Sequence, residues 1–129
     1  MPARPIQFPA TARDKKVLAR LRKLCLVLPE VAETHNFGHP NFRAGKITFC
    51  AFEACRGQPS IAFKLPRENV AAMLVSDERF FPTPYGRGVW LSLWAERALD
   101  WKEIETLVLN AYRGVALKRM LAAMPSRQF

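Results

Sequence analysis

Residues 47–65 read ITFCAFEACRGQPSIAFKL, and this stretch decides the fold. Residues 47–52 are an almost unbroken apolar run rich in β-branched and aromatic side chains, and residues 61–65 alternate in polarity. The segment Arg56-Gly57-Gln58-Pro59 between them has the composition of a turn. The stretch therefore predicts two antiparallel strands joined as a hairpin.

Shorter extended segments precede this hairpin. Residues 34–37 and 41–43 are divided by Gly38-His39-Pro40, and Arg43-Ala44-Gly45-Lys46 predicts a further hairpin turn. We therefore expect a meander of three or four antiparallel strands in this half of the chain.

A helix is predicted on the N-terminal side of these strands. Thr11 and Asp14 form a variant of the capping box, and Pro29 ends the segment. The apolar positions follow helical spacing, which predicts one buried face: Val17, Leu18, Leu21, Leu24, Cys25 and Leu28.

Two more helices and another strand are predicted on the C-terminal side. The second helix begins after Pro66, and a final helix of about two dozen residues, capped by Asp100, includes a kink at Gly114. Residues 80–88 are an irregular aromatic loop, and residues 89–94 are a strand. The fold class is therefore α+β: a single antiparallel sheet with helices packed on one face, in the order α-β-β-β-α-β-β-α.

Length and composition indicate one globular domain. The chain has 129 residues, half of them hydrophobic, so residues 11–125 are expected to form the domain and residues 1–10 a flexible tail. No membrane-spanning run or signal peptide is recognisable, and the three cysteines are expected to be reduced. We expect a cytoplasmic, bacterial-type protein that is a monomer without membrane contact.

The net charge of +9 is the main compositional signal. Residues 1–30 contribute +5, from seven basic and two acidic side chains, whereas residues 31–66 and 67–129 contribute +2 each. Such a balance favours an anionic partner, nucleic acid first, although solubility alone would also explain it.

Three motifs lie in order within residues 24–112. The sequence Leu28-Pro29-Glu30-Val31 leads into FGHPNFR at residues 37–43, which is similar to a family pattern with Glu30 in place of glycine and Phe37 in place of tryptophan. IAFKL at 61–65 and PYGRG at 84–88 followed by Trp90 are the other two markers. With these three markers the chain resembles the MmcQ/YjbR family. The resemblance implies a frataxin-like or secretion-chaperone-like α+β sandwich, and DNA binding with two β-hairpins as paired wings.

The sequence contains no pattern that is typical of a catalytic or metal site. His35 with His39, and Cys50 with Cys55, lack the spacing of a closed zinc site. No nucleophile motif or phosphate loop is recognisable, and the carboxyl pairs Asp77 with Glu78 and Glu103 with Glu105 are interpreted as helix-terminal charges on solvated faces. We therefore predict a non-enzymatic protein with no catalytic residues, no metal and no cofactor.

Two binding surfaces remain as hypotheses. The first places duplex DNA phosphates on basic hairpin tips and on a stripe of the first helix: Arg43, Lys46, Arg56, Arg87, Lys15, Lys16, Arg20 and Lys23. The alternative is a groove lined by His35, Tyr85 and Trp90 beside Arg87, which would bind a protein, a base or a small anion. Charged turns and buried aromatic side chains are also common without any such function.

Overall fold

The computed structural model describes residues 8–124 of the chain. The helices are α1 (Ala12–Cys25), α2 (Arg67–Ser76), α3 (Trp101–Val115) and α4 (Lys118–Ala122), with one 3-10 turn at Asn36–Gly38. The strands are β1 (Val31–Thr34), β2 (Asn41–Ala44), β3 (Ile47–Cys55), β4 (Gln58–Lys64), β5 (Phe80–Pro82) and β6 (Trp90–Trp94).

Within this range the strands form one antiparallel sheet in the order β1-β2-β3-β4-β6-β5. Residues paired across strands share a face, so the register separates two faces. Cys50 and Phe52 with their partners Phe63 and Ile61 belong to the buried cluster that also includes side chains of all four helices. The predicted fold class, a single antiparallel sheet with helices on one face, is confirmed.

The other face, called the open face below, carries the intervening residues. It includes Ala51 and Glu53 of β3, Ala62 and Ser60 opposite them on β4, and Ser92 on β6. No helix in the described range packs on this face, and the site discussed below lies there.

A β-bulge explains why the β3 segment appears apolar on both faces. Phe42 pairs with Cys50 whereas Arg43 pairs with Thr48, so Phe49 is an extra residue in β3. Phe49 and Cys50 are consecutive and both fully buried. Because a bulge inserts one unpaired residue, it shifts the alternation of side chains between the faces on either side of it.

The observed order differs from the predicted one in two places. Four strands precede α2, where the predicted order has three, because residues 31–34 pair with β2 as β1. The final helix ends at Val115, and Ala116 is extended with ψ 142° before α4 begins. This break lets Met120 return to the core, where it is 1% exposed.

The predicted helix caps are both present. Thr11 accepts a hydrogen bond from the backbone N–H of Asp14, and the Asp14 carboxylate accepts one in return from the backbone N–H of Thr11. Asp100 accepts hydrogen bonds from the backbone N–H groups of Lys102 and Glu103 at the start of α3. The predicted tail, residues 1–10, lies outside the described residues up to position 7, and Phe8 packs on Phe52 with ring centroids 4.7 Å apart.

Candidate ligand-binding groove

A groove of about 650 Å³ crosses the open face of the sheet. One bank is the 3-10 turn with His39, and the other is formed by Pro84 and Tyr85 of the segment that joins β5 to β6, together with Trp90 at the start of β6. The floor is formed by β2 and β3: Asn41, Thr48, Ala51, Glu53, Ala54 and Cys55. The groove therefore follows β3 along most of its length.

Glu53 is the polar residue at the centre of the floor and is only 6% exposed. Its Oε1 accepts a 2.7 Å hydrogen bond from the hydroxyl of Tyr85 and lies 3.4 Å from Nε2 of His39. Its Oε2 has no hydrogen-bond partner among residues 8–124. Burial and the hydrogen bond to Glu53 raise the pKa of Tyr85 far above its ordinary value, so the phenol keeps its proton and donates.

Asn41 supplies a second acceptor on the floor. Its side-chain nitrogen donates 3.0 Å hydrogen bonds to the carbonyl oxygens of Asn36 and His39. Because both contacts are with carbonyl oxygens, they identify the nitrogen end of the amide. The oxygen end has no hydrogen-bond partner in the described part of the chain, and Asn41 is 6% exposed.

The aromatic side chains of the two banks differ in how they are held. The rings of Tyr85 and Trp90 meet edge to face with centroids 5.7 Å apart. Gly86 has φ +83°, and a Cβ at this position would overlap the Trp90 indole. The pattern PYGRG with Trp90 therefore builds one bank of the groove. On the opposite bank Phe37 is 94% exposed.

Left-handed backbone recurs around the groove. Phe37 on the 3-10 turn, Arg56 at the β3–β4 turn and Arg87 between Tyr85 and Trp90 have φ of 64°, 53° and 51°. Each is followed by a glycine that is also left-handed. Non-glycine residues seldom adopt this conformation, and such outliers cluster at binding sites in many proteins.

The predicted groove residues are partly brought together. Tyr85 and Trp90 line the groove, as the hypothesis requires. The structure places His35 elsewhere: its Nε2 lies 2.8 Å from Oε2 of Glu33, which also binds Arg22. His39, four residues later, is the histidine that borders the groove.

The basic residues predicted to contact DNA do not form one patch. Arg43 and Lys46 lie at one end of β3 and Arg56 at the other, roughly 25–30 Å away for a nine-residue strand. Arg87 lies in the chain between the groove residues Tyr85 and Trp90 but does not itself line the groove.

The α1 stripe, Lys15, Lys16, Arg20 and Lys23, lies on a helix that covers the opposite face of the sheet. Arg20 is placed over the Trp101 ring, 4.6 Å from its centroid. The α1 stripe and the groove therefore lie on opposite sides of the sheet.

The candidate metal ligands lie apart from one another. Cys50 is buried on the helix-covered face beside Cys25, and burial first, then hydrogen bonding to Cys50, raises the pKa of Cys25 well above its usual value. Cys55 lines the groove on the open face. Within residues 8–124, no three side chains of His, Cys, Asp or Glu are grouped as metal ligands.

The sequence analysis did not predict that four residues important for the groove would line it: Phe37, His39, Asn41 and Glu53. For Glu53 a usable signal exists, because a single carboxyl group within an apolar strand must either pair with a partner or face a cavity. Phe37 and His39 lie in a loop whose course the local sequence does not determine, and Asn41 begins β2 directly after that loop.

In the described range no helix is long and apolar enough to cross a bilayer. A family model described as YjbR matches residues 26–114. No protein of established annotation matches the chain significantly.

Two solved structures share the fold. One is a Deinococcus radiodurans protein with a DUF419 domain, 16% identical over 79% of this chain and 80% of that one, with a TM-score of 0.65. The other is a Pseudomonas syringae protein, 15% identical over 77% of this chain and 95% of that one, with a TM-score of 0.60. At these identities the likeness concerns the fold alone.

Proposed function

Since the chain belongs to the YjbR family, which is not a known enzyme family, we propose that it is a binding protein whose ligand enters the groove on the open face. The observation that carries the proposal is Glu53. This carboxyl group is almost completely buried at the groove floor, yet one of its oxygens has no hydrogen-bond partner in residues 8–124.

Two side-chain acceptors on the floor are open to the groove. In the described range Ser60 Oγ is the one side-chain polar atom that is both fully buried and without a partner. Glu53 Oε2 and the Asn41 side-chain oxygen also have no protein partner there, so they are accessible from the groove and free to accept hydrogen bonds. A ligand that carries N–H or O–H groups would satisfy them, with ordered water in their place in the free protein.

The banks favour a ligand with a flat or apolar body. Tyr85 and Trp90 on one side and Phe37 on the other provide aromatic surface, and a binding site commonly combines such surface with a few convergent polar groups. A small anion, one of the ligands expected from the sequence, fits less well. The Glu53 carboxyl group at the floor would repel a negative group placed beside it.

Thermal-shift measurements with three classes of compound test this function: nucleotides, organic amines and dicarboxylates. We expect one donor-bearing class to raise the Tm by several degrees, since a ligand at a hundred times its Kd adds about 2.7 kcal/mol of stability. Glu53→Gln should abolish the shift, whereas Glu78→Gln, an exposed matched change, should leave it intact. The proposal fails if no class stabilises the protein, or if both variants respond equally.

Duplex DNA on the β2–β3 tip is the second candidate. Arg43 and Lys46 are exposed and lie close together at that tip, and the net charge is +9. If both side chains contact phosphates, the slope of the logarithm of the binding constant against the logarithm of the salt concentration should fall in magnitude by about two units when both are replaced by Ala. The control is Lys102→Ala with Lys118→Ala, which removes the same charge from exposed sites on α3 and α4. Equal effects of the two double variants, or no binding at low salt, would reject this candidate.

A further inference from the structure

We infer that the ligand of the groove is an unpaired, amino-bearing nucleobase, guanine above all, with its phosphate held by one of the arginines next to the groove. The inference rests on the proposed function and names its ligand class. Three independent features carry it: the acceptors of the floor, the exposed aromatic ring on the bank, and the free cationic side chains at the rim.

The floor of the groove offers hydrogen-bond acceptors, so it favours a ligand with donors. Glu53 Oε2 and the Asn41 side-chain oxygen have no partner in the described chain, and the Tyr85 hydroxyl already donates its proton to Glu53 Oε1. The Watson–Crick edge of guanine carries two adjacent donors, its ring N–H and its exocyclic amino group. Uracil and thymine present one donor flanked by two carbonyl acceptors, so the same floor disfavours them.

Phe37 provides the stacking surface. A ring that is 94% exposed and held by a left-handed backbone at φ 64° gains no packing in the free protein. Across the groove stand Tyr85 and Trp90, in edge-to-face contact with each other. Proteins that bind single strands stack unpaired bases on such rings and bond them along the Watson–Crick edge.

The rim supplies positive charge without competing anions. Arg56 follows groove residue Cys55 directly, and Arg87 lies in the segment between Tyr85 and Trp90. At the other end of β3, Arg43 pairs with groove residue Thr48 on the open face. Within residues 8–124, these three guanidinium groups make no ion pair.

This arrangement favours phosphate at the rim over an organic cation in the groove. A free amine would satisfy the floor acceptors, but it would have to approach a chain of net charge +9 past these arginines. A nucleotide is attracted by the rim and satisfies the floor. The base must be unpaired, because pairing in a duplex occupies the edge that Glu53 would contact.

Calorimetry with guanosine monophosphate and inosine monophosphate tests the base assignment, since inosine lacks the exocyclic amino group. We expect guanosine monophosphate to bind at least tenfold more tightly, and Glu53→Gln to remove most of that preference. Phe37→Ala should weaken binding about fivefold or more. Its matched control is Val75→Ala, an 88% exposed apolar side chain on α2 that is not part of the groove.

The source of the nucleotide is tested with a short thymine oligomer that contains one guanine, single-stranded or annealed to its complement. Tighter binding of the single strand than of the mononucleotide identifies a strand as the ligand, and equal binding identifies a free nucleotide. Both outcomes support the inference. Duplex that binds as tightly as single strand, or equal affinity for the two mononucleotides, overturns it. Stabilisation by amines but by no nucleotide would also overturn it, while leaving the proposed function intact.

Discussion

The hydroxyl of Tyr85 donates a 2.7 Å hydrogen bond to Oε1 of Glu53, a residue 32 positions earlier in the chain. This bond joins the β5–β6 segment to the floor of the groove, and it leaves the second oxygen of Glu53 facing open space. The raised pKa of Tyr85 means that the proton needed for this bond remains on the phenol at all ordinary pH values.

Tyr85→Phe should lower the free energy of unfolding by about 1 kcal/mol. Hydrogen bonds to charged groups contribute about 1.5–3 kcal/mol, and the 43% exposure of Tyr85 reduces this one. Urea denaturation would measure the change. A double-mutant cycle with Glu53→Gln should show that the two effects are not additive, and strict additivity would mean that the bond contributes nothing.

Comparing the stability of Gly86→Ala with that of Gly57→Ala should distinguish the cost of steric overlap from the cost of backbone strain. Both glycines are left-handed, with φ +83° and +79°, but only at Gly86 does an added Cβ overlap the Trp90 ring. We expect Gly57→Ala to cost about 1 kcal/mol, and Gly86→Ala to cost about 2 kcal/mol more because the indole must move.

The same pair of variants has a spectroscopic readout. The indole N–H signal of Trp90 in an NMR spectrum should shift in Gly86→Ala and stay in place in Gly57→Ala. Equal stability losses together with an unmoved indole signal would show that Gly86 has no role in positioning Trp90.

Two buried serines on the open face should respond differently to replacement by alanine. Ser60 and Ser92 are both fully buried, but the Ser92 hydroxyl lies 2.7 Å from that of Thr83, whereas Ser60 has no partner among the described residues. Ser92→Ala should cost about 1 kcal/mol, and Ser60→Ala should be neutral or slightly stabilising. Thermal unfolding would measure both, and a larger loss for Ser60→Ala would indicate an unseen partner such as bound water.

The Arg22–Glu33 ion pair should make the free energy of unfolding depend on pH. The two hydrogen bonds from the Arg22 guanidinium, 2.6 and 2.8 Å long, hold the pKa of Glu33 below its ordinary value of about 4.3. A lowered pKa in the folded state means that the stabilisation is complete above the ordinary value and is lost as pH falls through the lowered one.

Glu33→Gln should therefore reduce stability by about 1 kcal/mol at neutral pH, because the partly exposed Arg22 weakens the pair. Urea denaturation from pH 7 to pH 2.5 should show the difference from the unmodified protein shrinking as Glu33 becomes protonated. A difference that is constant over this range would show that the ion pair does not carry it.

Local patterns were sufficient for most of the fold. Thr11 with Asp14 and Asp100 are helix caps as predicted, because a cap depends on residues only a few positions away. The buried face of α1 follows from apolar spacing alone. The predicted long final helix failed at Ala116 because its break serves a distant contact, the return of Met120 to the core.

A smaller part of the candidate site could be predicted in the same way. Tyr85 and Trp90 lie in a short aromatic segment, and their place beside a groove could be anticipated from that clustering. His35 and His39 could not be told apart, because the choice depends on whether each ring faces Glu33 or Glu53, and both carboxyl groups are placed by strand register.

The sequence by itself determined the elements, the single antiparallel sheet and the excess of positive charge, since these depend on periodicity, capping and composition. Only the tertiary structure decided that Glu53, Asn41, Tyr85 and Phe37 share one groove, and that the basic residues are distributed over both sides of the sheet rather than on one face. The physical reason is that sheet order, the bulge at Phe49 and the course of the two loops set which residues meet across the open face. These are long-range relationships, and no local spacing encodes them.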